Sequence, residues 1–363
     1  MRALHGPIRD YAWGSRSALA LLQGRPSPTE RPEAELWLGA HPSDPSTVDS
    51  VSLAALVAAD PPRMLGAEVA AEFDGRLPFL LKVLAAEEPL SLQAHPDAAQ
   101  AQAGYAAGNP NYVDPYHKPE LLVAVSEFEA LCGFRSPVAS AQRLSSLRVP
   151  ALGPVVSLLE SGRLRDAVTA LLRWPDVEVV AVAAAADPLA ARLAARYPDD
   201  LGVIVALLLN HVTLRPGEAI SMPAGNLHAY LHGTGIEIMA ASDNVLRGGL
   251  TPKRVDVPEL LRILRFEVLE EPVVPAVTLA PSVVTWPIPV RDFALFRVTP
   301  GGQPVELAAP GPRIVFCLRG TAEVRDSDGR LTLDAGHAAF GSASPTPLTI
   351  SGDAEVYVAT TPA

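Results

Sequence analysis

The chain has 363 residues, of which 48% are hydrophobic and 19% charged, so it can bury a sizeable core, and its length suggests two or three domains, or one large core with an insertion. Its 40 acidic residues outnumber the 29 basic ones, which gives a formal net charge of -11 at pH 7. This surplus of negative charge, without any basic block, argues against nucleic acid or an anionic membrane as the main partner.

Targeting and redox features point to the cytoplasm. The N-terminal stretch MRALHGPIRDYAWGS lacks the apolar core of a signal peptide, and the longest clean apolar run, LGVIVALLL (201–209), is too short to span a bilayer. The two cysteines, Cys132 and Cys317, are far apart in sequence, so we expect no disulfide framework and no CxxC metal site. A soluble cytoplasmic protein is the expectation.

Lysine is unusually scarce in this chain, because only Lys82, Lys118 and Lys253 occur among the 29 basic residues. A chain that uses arginine almost everywhere can keep lysine where a compact ammonium or a titratable amine is needed. The alternative is a coding bias with three chance survivors. The chemical interpretation predicts that all three lysines lie at places that look functional for other reasons.

The first 130 residues read as short strands, turns and small helices, as in WLGAHPSDPSTV. An apolar stretch ends at SLQAHPD (91–97), where Gln93 and His95 are two residues apart and share one face of a strand. Pro96 and Asp97 then begin a short helix, and the loop NPNYVDPYHKPE leads to a further strand, LLVAV. Taken alone, Gln93 and His95 are either metal ligands or two ordinary polar residues at a strand end.

The pattern then changes to helices and returns to strands. Residues 137–208 carry Leu, Ala and Arg at helical spacing and predict four or so helices. Strand-like patterning returns at about residue 208, one more helix fits VPELLRILR (257–265), and short strands with Gly and Pro turns continue from about residue 270.

The stretch LRPGEAISMPAGNLHAY (214–230) contains Gly217, Pro223, Gly225 and His228 at a spacing that resembles the second metal motif of the cupin jelly roll. The alternative is a plain hairpin with a solvent-facing His228. The cupin interpretation predicts a mainly β protein with a helical insertion. Its domains are a catalytic cupin (1–130 and 208–268), a helical domain (131–207) and a degenerate C-terminal cupin (269–363).

Residues from separate segments can converge at the mouth of such a barrel as metal ligands. A first cupin motif normally supplies HxH and then a glutamate; here QAH (93–95) takes that place, and Glu120 in HKPE is the candidate glutamate. Gln93, His95, Glu120 and His228 together offer two nitrogens and two oxygens. This mixed set suits one zinc ion per chain, with an open position for water or substrate.

The segment IEIMAASDNVLRGGLTPKRVDVPELL (236–261) carries a second group of polar residues. Glu237 lies near a strand end, and Arg247 and Lys253 share one loop with the pair Gly248 and Gly249. Guanidinium and ammonium groups suit phosphate binding or the balancing of developing negative charge, and glycines allow close backbone approach. The alternative is a solvated basic turn.

Further motifs complete the set: YAWGS (11–15), AELWLGAHP (34–42), DPYHKPEL (114–121), CGFR (132–135), PAGNLHAY and ASDNVLRGGLTPK. Together with SLQAHPD, and in this order, they resemble the type I mannose-6-phosphate isomerases, also called phosphomannose isomerases, over roughly residues 1–265. The resemblance implies a zinc-dependent aldose–ketose isomerase that interconverts mannose 6-phosphate and fructose 6-phosphate through an enediol.

The resemblance also implies roles for individual residues. The zinc ligands are expected at Gln93, His95, Glu120 and His228, and the catalytic arginine at Arg247. Proton transfer is expected near Lys118, His117 and Glu237; we favour Lys118 as the base, with His117 assisting ring opening and Glu237 as the alternative base. Substrate-binding positions are expected at Trp13, Lys82, Ser91, Tyr230 and Lys253. Tyr116 departs from the family, which usually has asparagine there.

Two other functions compete with this one. One is a metal cupin of another activity, such as an Fe(II) oxygenase, although the additional Gln93 does not fit a 2-His-1-carboxylate set. The other is a non-catalytic sugar-binding cupin, which would keep sugar binding after zinc removal and have no turnover to lose. For the isomerase, the partner is a small phosphorylated sugar, without nucleic acid or membrane, and the chain is expected to be a monomer or weak oligomer.

Overall fold

Antiparallel strands dominate the structure, a computed structural model that describes residues 1–362. In chain order the strands are β1 (Arg2–His5), β2 (Ile8–Arg9), β3 (Glu35–Gly39), β4 (Thr47–Val48), β5 (Val51–Ser52), β6 (Phe79–Ala86), β7 (Leu92–Ala94), β8 (Glu120–Ala124), β9 (Phe128–Phe134), β10 (Leu209–Leu214), β11 (Ala219–Met222), β12 (His228–Ala240), β13 (Leu246–Gly249), β14 (Val273–Val274), β15 (Val277–Ala280), β16 (Val283–Thr285), β17 (Ala294–Val298), β18 (Val305–Leu307), β19 (Arg313–Asp326), β20 (Gly329–Asp334), β21 (Ala338–Gly341) and β22 (Leu348–Thr360).

Helices occupy the loops of the first part and a continuous block in the middle. They are α1 (Ala18–Leu22), α2 (Leu53–Ala59), α3 (Pro61–Leu65), α4 (Ala67–Glu72), α5 (Ala98–Ala106), α6 (Pro137–Ser146), a 3-10 turn (Pro150–Leu152), α7 (Gly153–Glu160), α8 (Leu164–Leu172), α9 (Glu178–Ala184), α10 (Pro188–Arg196), α11 (Gly202–Ala206) and α12 (Val257–Ile263). Helix α5 begins as predicted, because Asp97 and Gln100 form a reciprocal capping box at its N-terminus.

The long strand β12 organises the sheet that carries the candidate site. Its first part, from His228, pairs with β7 and β9, and its second part, from Gly233, pairs with β6 and β8. One strand therefore belongs to two sets of neighbours, and the sheet curls into a barrel between them. The order β14-β11-β8-β12-β6-β3-β2 completes this sheet, and His228 begins β12 between Gln93 of β7 and Cys132 of β9.

The second sheet contains the C-terminal strands and three strands from the first 52 residues. Its order is β15-β16-β17-β22-β19-β21-β1-β4-β5. Here the structure differs from the predicted division, which placed all of residues 1–130 in the catalytic cupin. Strand β1 pairs with β21, as in Ala3 opposite Ala339, and Leu4 is buried in the core between the two sheets. The N-terminal strand thus extends the edge of the C-terminal sheet, a long-range pairing that local patterns do not reveal.

The middle block forms a helical domain against the strands that carry the site. Six α-helices, α6 to α11, lie between residues 137 and 206, where the sequence predicted four or so. Their apolar faces share one buried cluster with Leu92 of β7, Leu246 of β13 and Leu250 beyond it. The mainly β fold with a helical insertion is therefore confirmed. Among residues 1–362, no helix has the length and apolar character needed to cross a membrane.

Candidate active site

Three ionisable side chains meet at the mouth of the first barrel. His95 directly follows β7, Glu120 begins β8 and His228 begins β12. One ligand atom from each lies within 4.8 Å of the others, and all three residues are buried. The Nε2 atoms of His95 and His228 are each 3.3 Å from a carboxylate oxygen of Glu120. Strand ends from distant parts of the chain thus bring together the histidines and glutamate that the sequence analysis nominated.

A backbone carbonyl next to the Nδ1 atom of each imidazole orients the ring for metal binding. The Nδ1 atom of His95 lies 2.8 Å from the carbonyl oxygen of Asn244, and Nδ1 of His228 lies 3.2 Å from that of Asn226. A carbonyl only accepts, so each Nδ1 carries a hydrogen, and Nε2 is the nitrogen of each ring that can offer a lone pair to a metal. Burial also lowers the pKa of His95 to about 4, which keeps its imidazole neutral.

The donor atoms of this cluster fit a divalent metal ion. Within residues 1–362, both Nε2 atoms and Oε2 of Glu120 are buried without a hydrogen-bond partner. Unpaired buried polar atoms are costly, and three of them facing one point are best explained by a bound cation. Burial opposes the ionisation of Glu120, but the polar groups around it, Lys118 among them, outweigh burial and hold the pKa of the carboxyl well below its usual value. Two imidazoles and one carboxylate are a common zinc donor set.

Gln93 lies beside this cluster on β7. It is directly opposite His228 on one side and directly opposite Arg247 on the other. Directly opposed residues of antiparallel strands project on the same face of the sheet, so the Gln93 amide lies on the face of His228 and Arg247. This placement supports the amide oxygen as a fourth donor and puts Arg247 next to the metal cluster.

The segment before β8 separates Lys118 from its neighbour His117. The Nζ atom of Lys118 is 3.3 Å from Oε1 of Glu120, and Lys118 lines the cleft. His117 points the other way, because successive residues of an extended segment alternate. Its Nε2 lies 3.0 Å from Asp292 in the C-terminal part, and this hydrogen bond raises the pKa of His117. The expected role of His117 in ring opening therefore has no support in this geometry.

A buried charged network forms the floor of the same cleft. Lys82 lies opposite Trp37 on β3 and opposite Glu237 on β12, and its Nζ is 3.2 Å from Glu237 and 3.6 Å from Glu35. The Tyr230 hydroxyl donates to Glu237 at 2.9 Å, and the Trp37 indole donates to Glu35 at 2.7 Å. Burial raises the pKa of Glu237. For Lys82, burial opposes the charge, but the two carboxylates outweigh it and raise its pKa, so Lys82 is an ammonium.

Glu35, Trp37 and Asn244 received no role in the sequence analysis. The sequence carries a signal for Glu35 and Trp37, because a glutamate two residues before a tryptophan in the apolar strand ELWLG places both side chains on one face. Asn244 gave none, because an amide in a turn is ordinary. In the structure the side-chain amide of Asn244 donates to the backbone carbonyl oxygens of Asp114 and Tyr116. The backbone carbonyl of Asn244 faces His95. Asn244 thereby ties the Lys118 segment to His95, a candidate metal ligand.

The cleft has a volume of about 1330 Å³ and brings most of the nominated residues together. All three lysines line it, as the chemical interpretation of lysine scarcity predicted. Its walls come from the barrel, the loop after β13 and the helical domain. Trp13, Ser91 and Tyr230, the expected substrate-binding positions, also line it, together with Arg247. A space of this size with convergent cations suits a small anionic ligand.

The fold and site define a metal-binding cupin, and comparison with known proteins gives its family. The family model for the catalytic domain of phosphomannose isomerase type I matches residues 1–137. The mannose-6-phosphate isomerase of Escherichia coli (strain K12) is 37% identical over 386 residues, and that of Salmonella typhimurium is 38% identical over 399 residues. Each match covers 97% of both chains.

Solved structures agree with the sequence relatives. A crystal structure of a mutant phosphomannose isomerase from Salmonella typhimurium superposes with a TM-score of 0.92 at 35% identity and covers 100% of both chains. A zinc-bound mannose 6-phosphate isomerase superposes with a TM-score of 0.90 at 35% identity and covers 100% of this chain and 99% of its own. The chain belongs to the mannose-6-phosphate isomerase family, which confirms the resemblance found in the motifs.

Proposed function

We propose that the chain interconverts mannose 6-phosphate and fructose 6-phosphate, with one zinc ion held by Gln93, His95, Glu120 and His228. The observation that carries the proposal is the convergence of three buried, unpaired ligand atoms beside a cleft that contains every lysine of the chain. Aldose–ketose exchange moves a proton between C1 and C2 of the open sugar. It needs a polarised carbonyl, a proton acceptor and a cation for the developing charge.

The metal would act as a Lewis acid, polarising the sugar carbonyl and orienting its hydroxyls. Lys118 is the residue that we assign to proton transfer, because its Nζ lies beside the metal ligands. Glu237 is the alternative, but its two oxygens already accept from Tyr230 and face Lys82, so it serves better to bind sugar hydroxyls with Lys82. His117 takes no part in this scheme, because its imidazole pairs with Asp292.

Two cations complete the proposed site; the sequence predicted both in one loop, but Arg247 lies in strand β13 and only Lys253 lies in the loop after it. Arg247 lies opposite Gln93 and lines the cleft, so its guanidinium can balance the charge of the enediolate. Lys253 lies six residues further along, in the loop after β13; it also lines the cleft and is exposed at its mouth. We assign it to the phosphate group, for which a compact ammonium is a suitable point charge.

A coupled assay for fructose 6-phosphate formation from mannose 6-phosphate tests this function. We expect turnover that is lost with a chelator and restored by zinc. Arg247→Ala should lower kcat by about 100-fold, as loss of a transition-state charge partner does, without loss of zinc. Arg254→Ala is the matched control, because Arg254 is exposed on the same segment and does not line the cleft.

The same assay separates the competing functions. Fully zinc-loaded protein without turnover would exclude the isomerase and favour a non-catalytic sugar-binding cupin. Protein that retains iron rather than zinc and forms no fructose 6-phosphate would favour a metal cupin of another activity. Equal loss of rate in Arg247→Ala and Arg254→Ala would count against the catalytic role of Arg247.

A further inference from the structure

The helical domain contacts the loop after β13 through one carboxylate. Asp200, in the segment between α10 and α11, accepts a hydrogen bond at 2.7 Å from the amide of Gly202 and another at 3.0 Å from the amide of Thr251. Both carboxylate oxygens are thereby used within the protein. The Thr251 hydroxyl in turn accepts from the amide of Lys253 at 3.1 Å. A continuous chain of hydrogen bonds thus runs from the helical domain to the lysine at the cleft mouth.

Beside the hydrogen bond between Asp200 and Thr251, the backbone of the helical domain closely approaches the backbone at the end of β13. A Cβ atom added to Gly202 would lie 2.7 Å from Cα of Gly249 and 2.8 Å from the amide nitrogen of Leu250. Gly249 has φ 131° and Leu250 has φ 53°, and the left-handed conformation is costly for a leucine. Leu250 is fully buried in the core of the helical domain. Such a conformation persists only where surrounding contacts hold it, and here the helical domain provides them.

We propose that Asp200 is a positioning residue that holds residues 247–253 in the conformation that presents Arg247 and Lys253 to the sugar phosphate. The inference rests on the proposed function. Residues 247–253 have two attachments: Arg247 in β13 pairs with Gln93 on β7, and Thr251 in the following loop is held by Asp200. The first attachment belongs to the barrel and the second to the helical insertion. The helical domain is therefore part of the catalytic apparatus, because it sets where the loop cations lie relative to the metal ligands.

The test compares Asp200→Asn with Asp199→Asn. Asparagine offers only one acceptor oxygen, so Asp200→Asn loses one of the two hydrogen bonds. Asp199 is the exposed neighbour, with no hydrogen bond or ion pair within residues 1–362, and its substitution measures the effect of the charge alone. We expect Asp200→Asn to lower kcat/KM by about 10- to 100-fold at unchanged zinc content, because a displacement of about 1 Å can cost that much. An effect of Asp200→Asn no larger than that of Asp199→Asn would overturn the proposal.

A double-mutant cycle distinguishes positioning from a general loss of structure. If Asp200 acts through Arg247, the Asp200→Asn/Arg247→Ala double variant should be within twofold of Arg247→Ala. If the losses of kcat/KM in the two single variants multiply in the double variant, the proposal is overturned. Gly202→Ala gives a second route, because alanine favours helix α11 while its Cβ would displace the loop. It should show the same non-additivity with Arg247→Ala, and additive losses would again contradict the inference.

Amide hydrogen exchange gives a measure that does not need turnover. Asp200→Asn should speed exchange at Leu250 and Thr251 by at least tenfold over Asp199→Asn, because these amides belong to the loop that it holds. Unchanged exchange would overturn the inference. Wild-type protein that fails to isomerise would refute the proposed function alone, while the exchange rates would still decide whether Asp200 holds the loop.

Discussion

Removing the ammonium of Lys82 should destabilise the protein strongly and in a pH-dependent way. Lys82 is buried, and its Nζ faces Glu237 at 3.2 Å and Glu35 at 3.6 Å, two carboxylates that are buried as well. Lys82→Met keeps much of the side-chain volume and removes the charge. Breaking a buried ion pair by deleting one partner costs about 3–5 kcal/mol, because the other charge stays desolvated.

The sign of the pH dependence follows from Glu237. Burial already raises the pKa of this carboxyl above its ordinary value, and without Lys82 it would rise further. A carboxyl with a raised folded-state pKa binds its proton more tightly in the folded chain than in the unfolded one. Stability is therefore lost as pH rises through that pKa and recovered below it. The penalty of Lys82→Met should be larger at pH 8 than at pH 5.5.

Urea unfolding of the metal-free protein measures this effect, with a chelator present at both pH values so that zinc binding does not contribute. Lys253→Met is the matched control, because Lys253 is exposed and its loss should change the free energy of unfolding by less than about 0.5 kcal/mol. Adding Glu237→Gln to Lys82→Met should recover part of the loss at pH 8. A penalty below about 1 kcal/mol, or one that does not change with pH, would refute the reasoning.

Three further predictions follow from the same geometry. Asn244→Ala should weaken zinc binding by about 10- to 100-fold, measured by competition with a chelating dye, because it loosens the turn whose carbonyl orients His95; unchanged affinity would exclude this role. His117→Gln should leave kcat nearly unchanged and lower thermal stability more at pH 5.5 than at pH 8.5, because a histidine with a raised pKa stabilises the fold only while protonated; a large loss of kcat would restore its catalytic role. Gly225→Ala should lower the melting temperature, because Gly225 has φ 79° and a Cβ would lie 2.8 Å from the Ile263 carbonyl; an unchanged melting temperature would contradict this.

The metal cluster was visible in the sequence because its signals are local. A spacing of two residues put Gln93 and His95 on one strand face, and fixed glycine and proline positions marked the hairpin before His228. Lysine scarcity was equally informative, since all three lysines line the cleft. These features can be recognised from the two-residue period of a strand and from a count of residue types.

Other features depend on pairings between distant residues. His117 adjoins Lys118 in sequence, but alternation turns it toward Asp292, 175 residues away. Strand β1 joins the C-terminal sheet through a partner more than 330 residues along the chain. Nothing in the local sequence distinguishes Asp200, and only the folded structure places it against Thr251. No local pattern encodes such contacts.

The most direct test of the metal site is an anomalous difference map recorded from crystals at the zinc absorption edge. We predict one peak per chain, about 2.0–2.2 Å from Nε2 of His95, Nε2 of His228 and a carboxylate oxygen of Glu120, with the Gln93 amide completing the donors. Active crystals with no peak between these atoms, or with the zinc peak elsewhere, would contradict the account.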